Sequence, residues 1–379
     1  MNVLVTGARG FIGRNLIAHV QAHQSCVVTP FNIDNSAAEL HAALEKADIV
    51  YHLAGINRPE TAEEFETGNA GLTRRICEFL RELGRTPVIV MPSSIQAALD
   101  NPYGVSKRRA EDALREFGAQ SGAQVCIYRL RNVFGKWCRP NYNSVVATFC
   151  HNIANDLPIQ ISHPSREIEL VYVDDVVNAF LAELPIRAES NGHRDIPFSK
   201  LMLGDLAGRI QSLHDMRTNL LTPDFAVRFN QQLYATYLSY VPDEARRHQL
   251  EIKSDHRGGL AEFIKSNNFG QIFISRTRPG VTRGNHYHHT KTEKFFVVGG
   301  EGIIRMRHIE SSEVLEYKVR GEAFQVIDIP PGYTHSIENI GCGDMVTMFW
   351  ASEIFDPDHP DTYFLPVLAP AESPVPVTA

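Results

Sequence analysis

Tyr103 and Lys107 stand four residues apart in N-P-Y-G-V-S-K-R-R-A, a spacing that puts both on one face of a helix. The pair suits one kind of chemistry. Hydride transfer to a ketone leaves an oxyanion that must be protonated. A tyrosine hydroxyl, its pKa lowered by a neighbouring ammonium, can deliver that proton. A serine hydroxyl can hold the carbonyl oxygen, and Ser93 and Ser94 stand upstream in P-S-S-I-Q. A Tyr–Lys pair at this spacing occurs in many helices, but here it follows Gly7, Gly10 and Gly13 in G-A-R-G-F-I-G. Glycines between a strand and a helix let the backbone approach a pyrophosphate, which then rests on the helix N-terminus. A second group of reactive residues lies far downstream, in R-G-N-H-Y-H-H-T-K-T-E. His286 and His288 alternate as on a strand, so both imidazoles project to one face, where they can bind a metal or move a proton.

Hydrophobic patterning gives the elements that must carry these residues. Residues 1–6 predict a short buried strand, and 11–23 a helix with Ile12, Leu16, Ile17 and Val20 on its apolar face. Strands are expected at 26–31, 48–54, 87–91 and 126–130. Helices are expected at 35–46, with Ser36 as N-cap, and at 68–83. This alternation implies a parallel sheet covered by helices. After about residue 245 the pattern changes. From Gly270 onward come short runs at 271–276, 294–298, 303–308, 314–319, 324–329 and 345–350, separated by Gly and Pro turns. That is the pattern of an all-β barrel or sandwich. The expected division is 1–245, 246–368 and a disordered Pro- and Ala-rich tail at 369–379, with the charged stretch 242–253 as the join. Phe295, Phe296, Met306, Phe324, Met348 and Trp350 are expected in the core of the second part.

A chain of 379 residues fits two domains rather than one. With 43% hydrophobic and 21% charged residues it belongs to the ordinary folded, soluble class. A net charge of −7 argues against a nucleic-acid or anionic-membrane partner, though not against a small anion in a local pocket. No apolar run approaches the roughly 18–20 residues that span a bilayer. The N-terminus enters a strand without a signal pattern, and the six cysteines are scattered without a C-x-x-C. Both point to reduced thiols and a cytoplasmic protein. The second strand ends in V-V-T-P-F-N, without an acid at its tip to hydrogen-bond ribose hydroxyls. With Arg9 in the loop, this favours NADPH over NADH, while Asp34, a few residues on, speaks the other way.

Residues 1 to about 245 are similar to extended short-chain dehydrogenases acting on nucleotide sugars. The resemblance rests on the glycine loop, H-L-A-G (52–55), G-N-A-G around Asn69, the Tyr103–Lys107 helix, R-L-R-N-V-F-G (129–135) and L-V-Y-V-D-D-V-V (170–177). The run G-K-W-C-R-P-N-Y-N-S-V-V-A-T-F (135–149) is more particular. The resemblance implies a Rossmann-like α/β fold. It implies a cofactor bound by Gly7, Arg9, Gly10, Phe11, Ile12, Gly13, Leu53, Ala54, Tyr103 and Lys107. It also implies Ser94, rather than Ser93, as the catalytic hydroxyl beside Tyr103 and Lys107. One departure stands out. The arginine that meets the nucleotide phosphates in many of these enzymes is replaced by Ile168. Arg166 is the nearest arginine, and Arg129, Arg131 and Arg139 are the other candidates.

The stretch from Gly280 to Gly299, followed by P-P-G-Y-T-H-S-I-E-N at 330–339, resembles the two motifs of a cupin, a small double-stranded β-barrel. The leading glycine of the second motif is replaced by Phe324. The resemblance implies His286, His288, Glu293 and His335 as metal ligands, and three neutral imidazoles with one carboxylate suit zinc among the divalent metals. Such a metal could be catalytic or structural. R-G-N-H-Y (283–287) is also similar to the R-G-x-H-Y of deoxysugar 3,5-epimerases, whose histidine is a base and needs no metal. Metal and base cannot both claim one His286 nitrogen. If a metal holds it, His289, His308 and Tyr333 are unranked candidates for the base.

As a whole the chain resembles the CapF-type bifunctional enzymes of capsule and O-antigen sugar synthesis. The resemblance implies C3 epimerisation of a UDP-linked 4-keto-6-deoxy-N-acetylhexosamine in the cupin, then reduction of its C4 ketone with NADPH. The product would be UDP-2-acetamido-2,6-dideoxy-L-talose. Paired cupin barrels imply a homodimer. The competing expectation keeps the reductase and makes the cupin a dimerisation or stability module.

Overall fold

The computed structural model describes residues 1–22, 26–183 and 196–368, so the expected tail at 369–379 lies outside the described residues. The chain divides into two compact units. Met1–Ser212 with Gln231–Pro242 form the first, and Leu213–Asn230 with the chain from Asp243 onward form the second.

In the first unit, strands β1 (Asn2–Thr6), β2 (Val27–Phe31), β3 (Ile49–His52), β4 (Val88–Ser94) and β5 (Val125–Leu130) form a sheet in the order β2-β1-β3-β4-β5. All neighbours are parallel. Central strands of such a sheet are covered on both faces, so they read as continuous apolar runs. Alternate residues divide between two cores: Val3, Val5 and Tyr51 on one side, Leu4, Val50 and Ile89 on the other. The helix Ala37–Lys46 begins with the expected Ser36 cap. Ser36 Oγ accepts from Glu39 N at 3.2 Å and Glu39 accepts from Ser36 N at 2.6 Å, a reciprocal capping box. The helix expected at 68–83 opens instead with a π turn, Glu66–Gly71, before an α-helix at Leu72–Glu82. Asn69 in that turn bonds both backbone groups of Ile56 and donates to Ser106 Oγ, and these competing bonds reshape the local ladder. A small sheet of β6 (Asn132–Phe134), β7 (Glu167–Tyr172) and β8 (Ser199–Met202) completes the unit, β8 running antiparallel to β7.

The helix Pro102–Ser121 carries Tyr103 and Lys107. Asn101 caps it by accepting from Gly104 N at 2.8 Å, and Pro102 occupies its first turn. Its Glu111 is fully buried. That carboxylate accepts from Arg129 Nε at 2.9 Å and Nη2 at 2.6 Å on β5, and from Ser93 Oγ at 2.5 Å on β4.

The second unit is two antiparallel sheets. One runs β16 (Val326–Ile329), β13 (Glu293–Gly299), β18 (Met345–Ala351), β11 (Gly270–Thr277), β10 (Gly258–Ser266), β9 (Lys253–Asp255). The other runs β15 (Leu315–Arg320), β14 (Glu301–His308), β17 (Tyr333–Asn339), β12 (Thr282–Tyr287), β19 (Tyr363–Phe364). Their core includes Phe295, Val297, Ile304, Met306, Ile337 and Phe349. This cupin-like architecture corrects part of the expected core. Phe295 and Met306 are inside, but Met348 and Trp350 are only half-buried, because the inward parity of β18 belongs to Met345, Thr347, Phe349 and Ala351. Phe324 is 76% exposed, in a left-handed turn at φ 50°, with its ring against Phe296. The segment Leu213–Asn230 belongs here because Lys265 N donates to Leu220 O and Thr222 N to Lys265 O, both at 2.8 Å. Among the described residues no helix is long and apolar enough to cross a membrane.

Removing one partner of a buried ion pair leaves the other charge uncompensated, at a cost of about 3–5 kcal/mol. Glu111→Ala is therefore expected to lower the melting temperature of the first unit by on the order of 10 °C. Thermal unfolding followed by circular dichroism checks this. An unchanged transition would mean that Arg129 does not depend on Glu111.

Candidate functional site

The loop after β1 turns at Gly7, with φ +67°, and Gly10 N donates to Gly7 O at 2.9 Å. A Cβ on Gly7 would lie 2.8 Å from Ala54 N, so the turn and the end of β3 approach too closely for a side chain. Ala54 N donates to Thr6 Oγ1 at 3.1 Å, and His52, pushed down to about 3 by burial and then by Lys107, bridges Thr6 and Thr73 as a neutral ring. The Arg9 side chain extends outward and pairs with Asp34 at 3.1 Å, while Arg9 N donates to Asn32. Both the basic and the acidic residue singled out in the sequence therefore stand together beyond the tip of β2.

Phe11, Ile12, Leu53, Ser94, Tyr103 and Lys107 line one cleft of about 760 Å³. Gly7, Arg9, Gly10, Gly13 and Ala54 are not among its lining residues. Ser93 also reaches the cleft wall, but its hydroxyl is committed to Glu111. Lys107 Nζ lies 5.9 Å from the centre of the Tyr103 ring. Burial pushes the Lys107 ammonium down to about 8, with Glu111 working against that, so it is still largely charged at pH 7. The expectation for Tyr103 is corrected. Burial raises its hydroxyl above the ordinary phenol value, and the contact with Ser94 only partly offsets this. A proton donor must hold its proton at neutral pH, and this environment ensures that it does. Polar residues that the sequence did not mark also line the cleft: Asn57, Gln96, Asn132 and Asn143. They sit in or beside loops, where no periodicity betrays them. Of the four candidate arginines, Arg129 is engaged by Glu111 and Arg131 donates to Glu169 at 2.8 Å. Arg166 lines the cleft and Arg139 stands against Tyr142.

In the second unit, one ligand atom from each of His286, His288, Glu293 and His335 lies within 4.8 Å of all the others. The strands explain this convergence. Asn285 at φ 62° and Gly284 at φ 94° form a bulge in β12, which sets His286 opposite His335 on β17. A Cβ on Gly284 would come within 2.7 Å of His335 O, so the bulge requires glycine. Glu293 opens β13 in the facing sheet. His288 Nδ1 meets Asp361 O at 2.5 Å and His335 Nδ1 meets Tyr333 O at 3.1 Å. A carbonyl partner calls for N–H at Nδ1, which turns each Nε2 toward the centre. His288 Nε2, His335 Nε2 and Glu293 Oε2 are buried without a hydrogen-bond partner, although Glu293 lies 3.4 and 3.1 Å from the two imidazoles. Burial alone would raise the Glu293 carboxyl, but those two contacts outweigh it and hold the group below the usual carboxylate range. Burial, then His335, pushes His286 down to about 4. Burial works to lower His288, but the Glu293 carboxylate outweighs it and raises the ring above the ordinary imidazole value. Three imidazoles and one carboxylate, three of the four with an orphaned buried atom, are a donor set that a divalent cation would bind by displacing any proton held there.

A cavity of about 260 Å³ opens on this cluster, with Lys253, Glu262 and Lys291 as its other ionisable walls. His289, His308 and Tyr333 do not line it. His289 instead meets Tyr287 and Tyr363 edge-on, and His308 meets Tyr333 in the same way.

Residues 3–193 match the NAD dependent epimerase/dehydratase family, and residues 253–363 match the polysaccharide biosynthesis C-terminal domain. A UDP-2-acetamido-2,6-beta-L-arabino-hexul-4-ose reductase from Pseudomonas aeruginosa is 44% identical over 364 residues, covering 96% of this chain and 98% of that one. The crystal structure of the capsular polysaccharide assembling protein CapF from Staphylococcus aureus superposes with a TM-score of 0.90 at 44% identity, covering 97% of this chain and 100% of that one. A UDP-glucuronic acid 4-epimerase from Bacillus cereus, 18% identical with a TM-score of 0.54 over 64% of this chain and 98% of its own, shares the fold of the first unit alone. Near-complete coverage in both directions at this identity means that the chain belongs to the CapF-like capsular polysaccharide assembling proteins, an epimerase/dehydratase fold joined to a polysaccharide biosynthesis C-terminal domain.

Proposed function

We propose that this chain reduces the C4 ketone of a UDP-2-acetamido-2,6-dideoxy-4-ketohexose with NADPH, after epimerising the same sugar at C3. The product is UDP-2-acetamido-2,6-dideoxy-beta-L-talose. The observation that carries the reduction is the single cleft lined by Ser94, Tyr103 and Lys107 together with Phe11 and Ile12 of the nucleotide loop. The Pseudomonas aeruginosa relative, named as a UDP-2-acetamido-2,6-beta-L-arabino-hexul-4-ose reductase, supports the substrate class. A bound nicotinamide cofactor would supply the hydride for C4 of the sugar, and the Tyr103 hydroxyl would give its proton to the new alkoxide. Ser94 orients the carbonyl oxygen, and the Lys107 ammonium stabilises the tyrosinate left behind. Gly7, Gly10, Gly13, Leu53 and Ala54 would let the cofactor approach their backbone, and Arg9 would meet the 2′-phosphate of NADPH by exchanging its Asp34 partner for it.

The C3 exchange belongs to the second unit. Its cluster of His286, His288, Glu293 and His335 fits a divalent cation, zinc by donor type, which supplies Lewis-acid stabilisation of charge on the C4 oxygen. With His286 a ligand, the base that takes the C3 proton comes from the cavity wall. The reductase domain is taken as 1–245 and the epimerase domain as 246–368, in a cytoplasmic homodimer paired through the barrels.

Two outcomes follow. Tyr103→Phe is expected to slow NADPH oxidation by the 4-keto sugar by roughly 10²–10⁴-fold while leaving NADPH affinity near that of the unaltered chain. Oxidation at an undiminished rate would remove Tyr103 from the chemistry. Metal analysis of the purified chain is expected to find about one divalent ion per chain, lost in His335→Ala and in Glu293→Gln with NADPH binding intact. An unaltered chain without metal after zinc supplementation would leave the cluster as a hydrogen-bonding group only.

A further inference from the structure

The diphosphate of a UDP-linked sugar needs cationic partners. The structure narrows the candidates. Arg129 is committed to Glu111, and Arg131 donates to Glu169 and lies 3.6 Å over the Phe198 ring. Among the described residues, no carboxylate pairs with Arg58, Arg139 or Arg166. Two of these three share one ring. The guanidinium carbons of Arg58 and Arg139 lie 5.4 and 5.2 Å from the centre of Tyr142. Two cations held on one aromatic ring without an anion repel each other, and the arrangement is completed by negative charge from outside.

The loop that presents Arg139 and Tyr142, with Arg58 on a separate loop after β3, is built to hold its shape. Within seven residues, Gly135, Trp137 and Asn141 all have positive φ, at 149°, 69° and 54°. Tyr240 donates to Cys138 O at 2.6 Å and Asn141 N to Thr148 Oγ1 at 3.0 Å, which pins the loop from two sides. Non-glycine residues in this conformation persist only where their surroundings over-determine them, and they cluster at ligand clamps. The loop's own Cys138, Asn143 and Ser144 line the reductase cleft, as do Asn57, which precedes Arg58, and Arg166. Ser144 also caps the helix Val145–Ala154, so the positive end of that helix opens at the same wall.

We propose that Arg58 and Arg139, ordered by the Tyr142 ring, bind the diphosphate of the nucleotide sugar at the lip of the reductase cleft, with Arg166 as the third cation. This rests on the cleft being the site of a UDP-linked sugar. A planar guanidinium fork matches two phosphate oxygens at once, and stacking on an aromatic face removes side-chain freedom before the ligand arrives.

Calorimetric titration of the full chain with UDP and with uridine tests it. The unaltered chain is expected to bind UDP more tightly than uridine. The double variant Arg58→Ala/Arg139→Ala is expected to lose roughly tenfold or more in UDP affinity, with uridine and NADPH affinities and the melting temperature unchanged. Tyr142→Phe keeps the ring and UDP affinity, whereas Tyr142→Ala loses part of it. A double variant that binds UDP like the unaltered chain overturns the proposal and leaves the UDP-sugar reading standing. An unaltered chain that binds UDP no better than uridine also overturns it. An unaltered chain that binds neither removes the UDP-sugar reading along with it.

Discussion

Glu111 is the charge on which the first unit depends. It is fully buried, one helical turn beyond Lys107 and two beyond Tyr103; Arg129 on one strand and Arg115 on its own helix pair with it, at 2.6 and 2.8 Å, and Ser93 on the next strand donates to it. A buried carboxylate of this kind adds little net stability over a well-packed apolar substitute, but it is intolerant of displacement. That intolerance has a use. The helix cannot slide or rotate on the sheet without leaving a charge unpaired, so Tyr103 and Lys107 keep a fixed distance from Ser94 at the end of β4. The same network turns Ser93 away from the cleft and leaves Ser94 free to face it. Structure and chemistry share one buried carboxylate.

The second unit solves its problem by the opposite means. Nothing in it neutralises the cluster of three imidazoles and a carboxylate except the members themselves. Two backbone carbonyls fix the orientation of His288 and His335, a bulge at Asn285 aims His286, and Glu293 arrives from the facing sheet. Three ligand atoms are left buried and unbonded. Orphaned buried polar atoms cost free energy unless something else satisfies them. Among the described residues, three of the barrel's orphaned buried side-chain atoms gather where its ligands converge, and a cation is the species that would relieve them.

What could be read from the sequence was chemistry that depends on short spacings. The glycine triplet, the Tyr103–Lys107 pair, the His286–x–His288 alternation and the Ser36 N-cap are all local, and residues three or four apart on a helix, or two apart on a strand, keep their relation whatever the tertiary fold. What escaped was choice of partner at long range. Arg129 and Glu111 are 18 residues apart, and no pattern says which of several arginines a buried carboxylate will take. The parity of β18 was misjudged because Met348 and Trp350 look more buried than Thr347, while the pleat admits only one set. Phe324 looked like core but sits in a left-handed turn on the outside. Arg58 and Tyr142 lie more than eighty residues apart in sequence, and only the fold brings them together.

The central claim is that two sites act in turn on one sugar. The most direct measurement is the reaction in deuterated water with NADPH and the UDP-linked 4-keto-6-deoxy-N-acetylhexosamine, with the product read by mass and by the position of the label. The account predicts a reduced sugar carrying solvent deuterium at C3 and inverted there. A reduced sugar with its original hydrogen and configuration at C3 would contradict it, leaving a reductase whose barrel serves assembly or stability alone.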